Sequence, residues 1–374
     1  MRIAINTRFL LKDKLEGIGW FTHEIVRRMV ISHPEDDFFF IFDRPYDESF
    51  IFADNVEPIV VRPAARHPIL WYMWFEFGVR NALARINPDV FFSPDSFMTL
   101  DTFTPTVLVI HDLGFEHYPE HTPLLVRKYY RKFTPKFCNK AEHIISVSHF
   151  TKQDIQKQYN IPSGKISVAG NACREYFKPL STAEIMEVRN DISDGKPYFF
   201  FVGAVHPRKN VHRMIQAFDW FKTATKSDYK FIIAGRFAWD VDEVNTAHQS
   251  ATHREDILFI GYQDAEQLPK ITGAAYALLY PSLFEGFGVP ILEAMNCDIP
   301  MIAGNTSSMP EVVGDAGILV DPTDVDGIAR SMMALLQQPG LYDELVRRGR
   351  IQKEKFDWDR YAEEIYDILK GFEQ

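Results

Sequence analysis

Two glutamates, Glu285 and Glu293, bracket a glycine turn in EGFGVPILEAM, straight after the apolar run AAYALLYPS. An ionised carboxylate only accepts hydrogen bonds, so a pair of them suits a ligand that presents hydroxyls, such as a ribose or a sugar. Gly286 and Gly288 let the backbone approach that ligand with no Cβ in between. Pro290 fits the first turn of a helix, where a missing N–H costs nothing. The free N–H groups of such a turn favour an anion. Glu293 is expected in that first turn. The plainer reading is that Glu293 complements the helix dipole while Glu285 is solvated. A second group shifts the balance. FFFVGAV, with Gly203 at its end, is followed by HPRKN, which puts Arg208 and Lys209 in the next loop. An Arg–Lys pair alone is commonly just solvated. Beside the glycine turn it makes a site for a nucleotide diphosphate. His111 ends the apolar run VLVI and precedes Asp112; a histidine at a strand end caps or braces as readily as it reacts.

These groups need strand ends to sit on. IAINTRFLL (3–11) reads as a first strand, KDKLEGIGW as a glycine loop and FTHEIVRRMVISH as a helix. Further strands are expected at FFFIF (38–42), VEPIVV (56–61), DVFFSP (89–94), TVLVIHD (106–112) and HIISVS (143–148). Helical patterns lie around 71–86 and 122–140. The alternation restarts at KPYFFFVGAV (196–205). It runs on through YKFIIAG, DILFIGY, YALLYPS, IPMIAG and GILVDP to a helical tail from about Asp324. Apolar strands alternating with helices predict parallel sheets covered on both faces. The fold class is α/β, with two Rossmann-like domains at 1–175 and 176–355 and a last helix, 356–374, packing back on the first. The junction falls in GNACREYFKPLST (170–182), where a strand ends and polar residues and a proline enter.

The 374 residues exceed one comfortable core. A formal net charge of −10 argues against nucleic acid as a partner, so an anionic ligand needs a local cationic site. Cys138, Cys173 and Cys297 fit neither a zinc site nor a disulfide framework, which points to a reduced, cytoplasmic compartment. MRIAINTRFLL lacks the length and cleavage site of a signal peptide, and no apolar run of about 18 residues predicts a membrane span. Asp-x-Asp occurs at DVD (240–242 and 324–326) and DWD (357–359); these read as solvated acids, and no metal is expected.

FVGAVHPRKN, EGFGVPILEAM and NTSSMPEVVGDAGILVDP resemble the donor domain of the family-four retaining glycosyltransferases, whose GT-B fold faces two Rossmann-like domains across a central cleft. Glu, seven residues, Glu is that family's signature. EGIGWFTHEI, VLVIHDLGFEHYPE and AEHIISVSHFTKQDI are similar to its N-terminal half, so the resemblance covers nearly the whole chain. It implies an enzyme that moves a hexose from a nucleotide-sugar to a glycan or lipid-linked glycan, with no cofactor. By that resemblance Glu293 holds the ribose and Glu285 the donor sugar. The backbone N–H groups of Phe287, Gly288 and Val289 meet the sugar and diphosphate. Lys209, with Arg208, neutralises the phosphates. Tyr262, Gln263 and Leu268 flank the base, although Tyr262 and Leu268 could equally be core. Gly17, Ile18 and Gly19 form a loop near the donor phosphate and acceptor, and His111 faces the sugar. One departure is Ala204, where many members carry arginine; Arg208 is expected to supply that charge.

The resemblance further implies same-face attack assisted by the leaving phosphate, since no carboxylate nucleophile stands out. PRKN and SSMPEVVGDAG look most like members that move mannose from GDP-mannose. The alternatives are a UDP-sugar donor, an inactive sugar-nucleotide-binding protein, and an epimerase of the same architecture, against which the Glu-seven-Glu spacing argues. RKYYRKFTPKFCNK (127–140) interleaves basic and aromatic residues. With HPILWYMWFEF (67–77) it suggests peripheral contact with the inner face of a membrane. The alternative is an ordinary helix, its aromatics in the core and its lysines in water.

Overall fold

The computed structural model describes residues 1–12, 14–237 and 241–373. The chain forms two compact units: Met1–Asn171 with Asp357–Gln374, and Ala172–Phe356. The first holds a seven-stranded parallel sheet. Its strands are β1 (Arg2–Asn6), β2 (Asp37–Phe42), β3 (Val56–Val60), β4 (Val90–Ser93), β5 (Thr106–Ile110), β6 (His143–Ser146) and β7 (Ile166–Val168). Their order is β3-β2-β1-β4-β5-β6-β7. The second unit holds β8 (Tyr198–Val202), β9 (Lys230–Ala234), β10 (Ile257–Gly261), β11 (Ala277–Tyr280), β12 (Met301–Gly304) and β13 (Gly317–Val320). Their order is β10-β9-β8-β11-β12-β13, again all parallel. Strands such as β4 and β11 are buried along their whole length, which is why they read as unbroken apolar runs. Strand order reverses between β1 and β4 and between β8 and β11. The crevices beyond the carboxyl ends of such strands are where open α/β sheets take ligands.

Several elements depart from expectation. β1 stops at Asn6 because the chain turns at once: Leu10 N donates to Thr7 O (3.0 Å), and Arg8 N donates to the Asn6 side chain (3.3 Å). Gly17, Ile18 and Gly19 are the first turn of the helix Gly17–Ser32 rather than a loop. A Cβ on Gly19 would lie 2.8 Å from Phe9 O, so this glycine serves close packing. The expected helix at 71–86 begins at Pro68 and passes through a π-helical stretch, Trp74–Val79. The tail is three helices: Val325–Gln337, Leu341–Gln352 and Trp358–Lys370.

The last of these helices packs on Gly17–Ser32 within the first unit. Trp358 meets the ring of Phe21 (centroids 6.0 Å apart), Tyr366 stacks on His33 (3.4 Å), and Ile365 and Leu369 are fully buried. The helix Leu124–Lys140 turns Tyr129 and Phe137 into the core and packs Tyr130 and Phe133 against it, while Lys128, Arg131, Lys132 and Lys136 are exposed. Among the described residues, no helix is long and apolar enough to cross a membrane.

Candidate active site

The second unit's reversal point gathers most of the residues expected to do chemistry. After β8 the backbone passes Gly203 (φ +150°), and after β9 it passes Gly235 (φ +141°). A Cβ on Gly235 would sit 1.8 Å from Gly203 O, so the two loops touch backbone to backbone. Pro207–Lys209 then form one tight helical turn. It ends at Asn210, a left-handed residue (φ +63°) with a fully buried side chain. Asn210 Nδ2 donates to Pro281 O (2.9 Å) and Pro322 O (2.6 Å), and Leu283 N donates to Arg208 O (2.9 Å). These bonds fasten the Pro-Arg-Lys turn to the loops after β11 and β13.

That fastening brings Lys209 to Glu285. Lys209 Nζ donates to both carboxylate oxygens, at 2.6 and 2.9 Å, and to the Tyr280 hydroxyl at 3.0 Å. Burial pushes the Glu285 carboxyl up, but the charges of Lys209 and Arg208 outweigh it and hold the group below the usual carboxylate range. Glu285 is therefore an anion at neutral pH, and its backbone is pinned as well. Its N–H donates to Ser307 Oγ (2.9 Å), and Ser308 Oγ donates to Glu285 O (2.9 Å) or Phe287 O (3.0 Å). The chain then turns through Gly288 (φ +101°) into the helix Val289–Asn296, with Pro290 in its first turn.

Glu293 corrects one expectation. It is the fifth residue of that helix, past the first turn, and it is buried rather than set against the dipole. Its Oε1 accepts from Arg174 Nη2. The Arg174 guanidinium lies over Tyr176 (5.1 Å) and Phe177 (4.9 Å), with both partners of the ion pair almost sealed from water. Arg174 is not among the residues that the sequence singles out. The only local signal was a cation beside two aromatics in CREYF, inside what read as a junction.

The other expected residues sit further out. Tyr262 and Gln263 follow β10, an edge strand of the second sheet. Tyr262 is 52% exposed, Gln263 Nε2 donates to Ile260 O (2.6 Å), and Leu268 is half-buried in the helix Gln267–Gly273. Tyr262 is thus no core residue. Gly235 N donates to Gly261 O (2.7 Å), which ties the end of β10 through β9 to Gly203. In the first unit, His111 follows β5 and is half-buried. Its Nε2 lies 2.7 Å from Pro94 O, and its ring meets Phe21 edge-on (5.1 Å). Burial pushes its pKa down, against the pull of Pro94 O, Asp112 and Asp95, so the imidazole is neutral at pH 7.

Among the described residues, no group of three or more His, Cys, Asp or Glu could hold a metal ion. Asp324 and Asp357 cap their helices and Asp359 accepts from Arg28, while Asp240 of the first DVD lies outside the described residues. Two units, each built on an all-parallel Rossmann-like sheet, define the fold class as α/β. WaaG, a glycosyltransferase involved in lipopolysaccharide biosynthesis, has the same fold: its TM-score is 0.77 at 17% identity, over 99% of this chain and all of that one.

Residues 16–173 match the family described as Glycosyltransferase Family 4, and residues 183–352 match Glycosyl transferases group 1. The chain belongs to these glycosyltransferases. It is 28% identical to O-antigen chain mannosyltransferase B of Escherichia coli, over 96% of this chain and 97% of that protein. It is 25% identical to O-antigen chain mannosyltransferase RfbU of Salmonella typhimurium, over 87% of each.

Proposed function

We propose that the chain moves mannose from GDP-mannose to a glycan or lipid-linked glycan, with retention and without a metal. The observation that carries this reading is the Lys209–Glu285 pair at the reversal point, a cation and an anion held together where a donor's phosphates and sugar would lie. The mannosyltransferase relative over nearly the whole chain supports the choice of sugar. On donor binding, Lys209 and Arg208 turn to the phosphates and stabilise charge on the leaving diphosphate. Glu285, released from Lys209, accepts hydrogen bonds from the sugar hydroxyls. Arg174 holds the Glu293 carboxylate for the ribose. His111 faces the sugar. The backbone at Phe287–Val289 meets the diphosphate, and Tyr262, Gln263 and Leu268 border the base. Catalysis is then mostly positioning and electrostatics.

Double displacement needs a carboxylate nucleophile beneath the anomeric carbon. Both Glu285 oxygens accept from Lys209, which suits recognition better than attack, so same-face attack assisted by the leaving phosphate is the mechanism adopted. Trapping a covalent glycosyl-enzyme on Glu285 or Asp112 would overturn it. A lipid-linked acceptor is supported by the first unit. Exposed Ile69, Tyr72, Met73 and Phe77 and the exposed Leu124 and Leu125 accompany the basic residues of Leu124–Lys140. Equal sedimentation with and without anionic vesicles would remove that contact.

The donor test is a thermal-shift panel with GDP, UDP, ADP and dTDP, each with and without EDTA, because a ligand of the folded state raises Tm. A shift with GDP alone, unchanged by EDTA and lost in Lys209→Ala, is expected. A shift with UDP alone moves the donor to a UDP-sugar. No shift with any nucleotide overturns the donor site.

A further inference from the structure

At the carboxyl edge of the first sheet, β1 and β4 lead into polar groups sunk below the surface. Asn6, Arg8, Ser93 and Asp95 are all buried. Arg8 Nε donates to Asp95 Oδ2, and its guanidinium lies over the rings of Phe97 (4.4 Å), Phe9 (4.8 Å) and Phe75 (5.3 Å). A buried ion pair is weak evidence of stabilisation, since an apolar pair often does as well. What this pair does is close a loop. Asp95 Oδ1 accepts from Phe97 N (3.2 Å), Ser93 Oγ donates to Phe97 O (2.5 Å), and Asn6 Nδ2 donates to Ser93 Oγ (3.0 Å). Inside that closure Ser96 is held at φ +69°, a strained angle for a non-glycine residue. The loop presents Pro94 O to His111 Nε2 (2.7 Å) and Ser96 Oγ to His111 N (3.4 Å).

A carbonyl can only accept, and a neutral imidazole has one donor and one acceptor. Pro94 O therefore fixes the His111 proton on Nε2 and leaves the lone pair on Nδ1. The charged groups that act on the ring are Asp112, on its own loop, and Asp95 itself. We infer that Arg8 and Asp95 are a positioning pair for His111. They hold the Pro94 carbonyl in place, and so hold the imidazole as the Nε2–H tautomer with Nδ1 left as the acceptor. The inference deepens the reading of His111 as a sugar-facing group, and it means that the histidine receives a hydroxyl hydrogen bond there rather than giving one.

The test uses the full chain, labelled at histidine and read by 15N–1H spectra. The wild type is expected to show His111 protonated at Nε2 and bare at Nδ1. The double variant Arg8→Met/Asp95→Leu removes both charges without leaving one buried alone. His111 should then become a mixture of tautomers, and kcat should fall about 10–100-fold. The nucleotide thermal shift should be unchanged, because the residues proposed to bind the nucleotide are untouched. Arg8→Lys, which keeps the charge, should recover part of kcat. If the double variant does not fold, Asp95→Asn gives the same spectral comparison. A folded variant with the wild-type tautomer and kcat overturns the inference. If no sugar donor turns over in the wild type, the proposed function fails, while the tautomer comparison still decides the role of the pair.

Discussion

The two reversal points are built from the same strand order and carry opposite solutions. Between β8 and β11 the ion pair is Lys209–Glu285, whose side chains are 16% and 8% exposed. Between β1 and β4 it is Arg8–Asp95, at 4% and 1%, roofed by phenylalanine rings. The difference lies in what each pair can exchange. Lysine is a point charge on a flexible stem, able to leave one carboxylate for a phosphate. A stacked guanidinium with no route to water stays where it is. On the proposed function, one edge trades partners with a ligand and the other holds a shape.

The comparison breaks if the two pairs respond alike. The largest effect expected is in Lys209→Ala, where loss of the charge proposed to stabilise the leaving group should lower kcat/KM about 10²–10³-fold in a donor turnover assay. Arg8→Ala should act first on folding, with its smaller effect on turnover following from the loss of His111 positioning. It leaves Asp95 charged and buried, at a cost of about 3–5 kcal/mol in urea unfolding. Glu293→Gln removes the charged acceptor proposed for the ribose and should weaken nucleotide binding by about 1.5–3 kcal/mol, measured by calorimetry.

The smallest effect is with pH. Burial lowers the pKa of His111 from 6.5, and that of His143 likewise. Below about 6.5 the unfolded chain takes up protons first, so stability is full above that pH and falls as pH drops towards the lowered folded values. His111→Gln should flatten part of that slope in melts between pH 7 and 5. A slope unchanged by the substitution would mean that the neutral imidazole is not enforced by the fold.

The fold was legible where strands are buried on both faces, because runs such as FFFIF and KPYFFFVGAV carry no polar interruption. β7 is legible only as a strand end before the junction, since Ile-Ser-Val is three residues with a polar centre. The glycine turn, the glutamates and Lys209 were legible because their spacing is local. Glu293's partner was not, since Arg174 lies 119 positions away and only the tertiary fold brings them together. The first turn at Gly17–Gly19 reads as loop for a related reason: Gly19 answers to Phe9 O, a contact across the chain's turn and not a local preference.

The helix Trp358–Lys370 has a consequence for synthesis. Arg28 and Asp359, which meet across the contact with Gly17–Ser32, are 331 positions apart. At about 5–20 residues per second a ribosome needs roughly 15–65 s to travel that distance. Through that interval the second unit can emerge and fold as a guest inside an unfinished host. Phe21 must wait, with part of its apolar seat unfilled, for Trp358 to arrive. The unit begun first is the last completed, and a nascent chain stalled before the final helix would expose a seam for chaperones to cover.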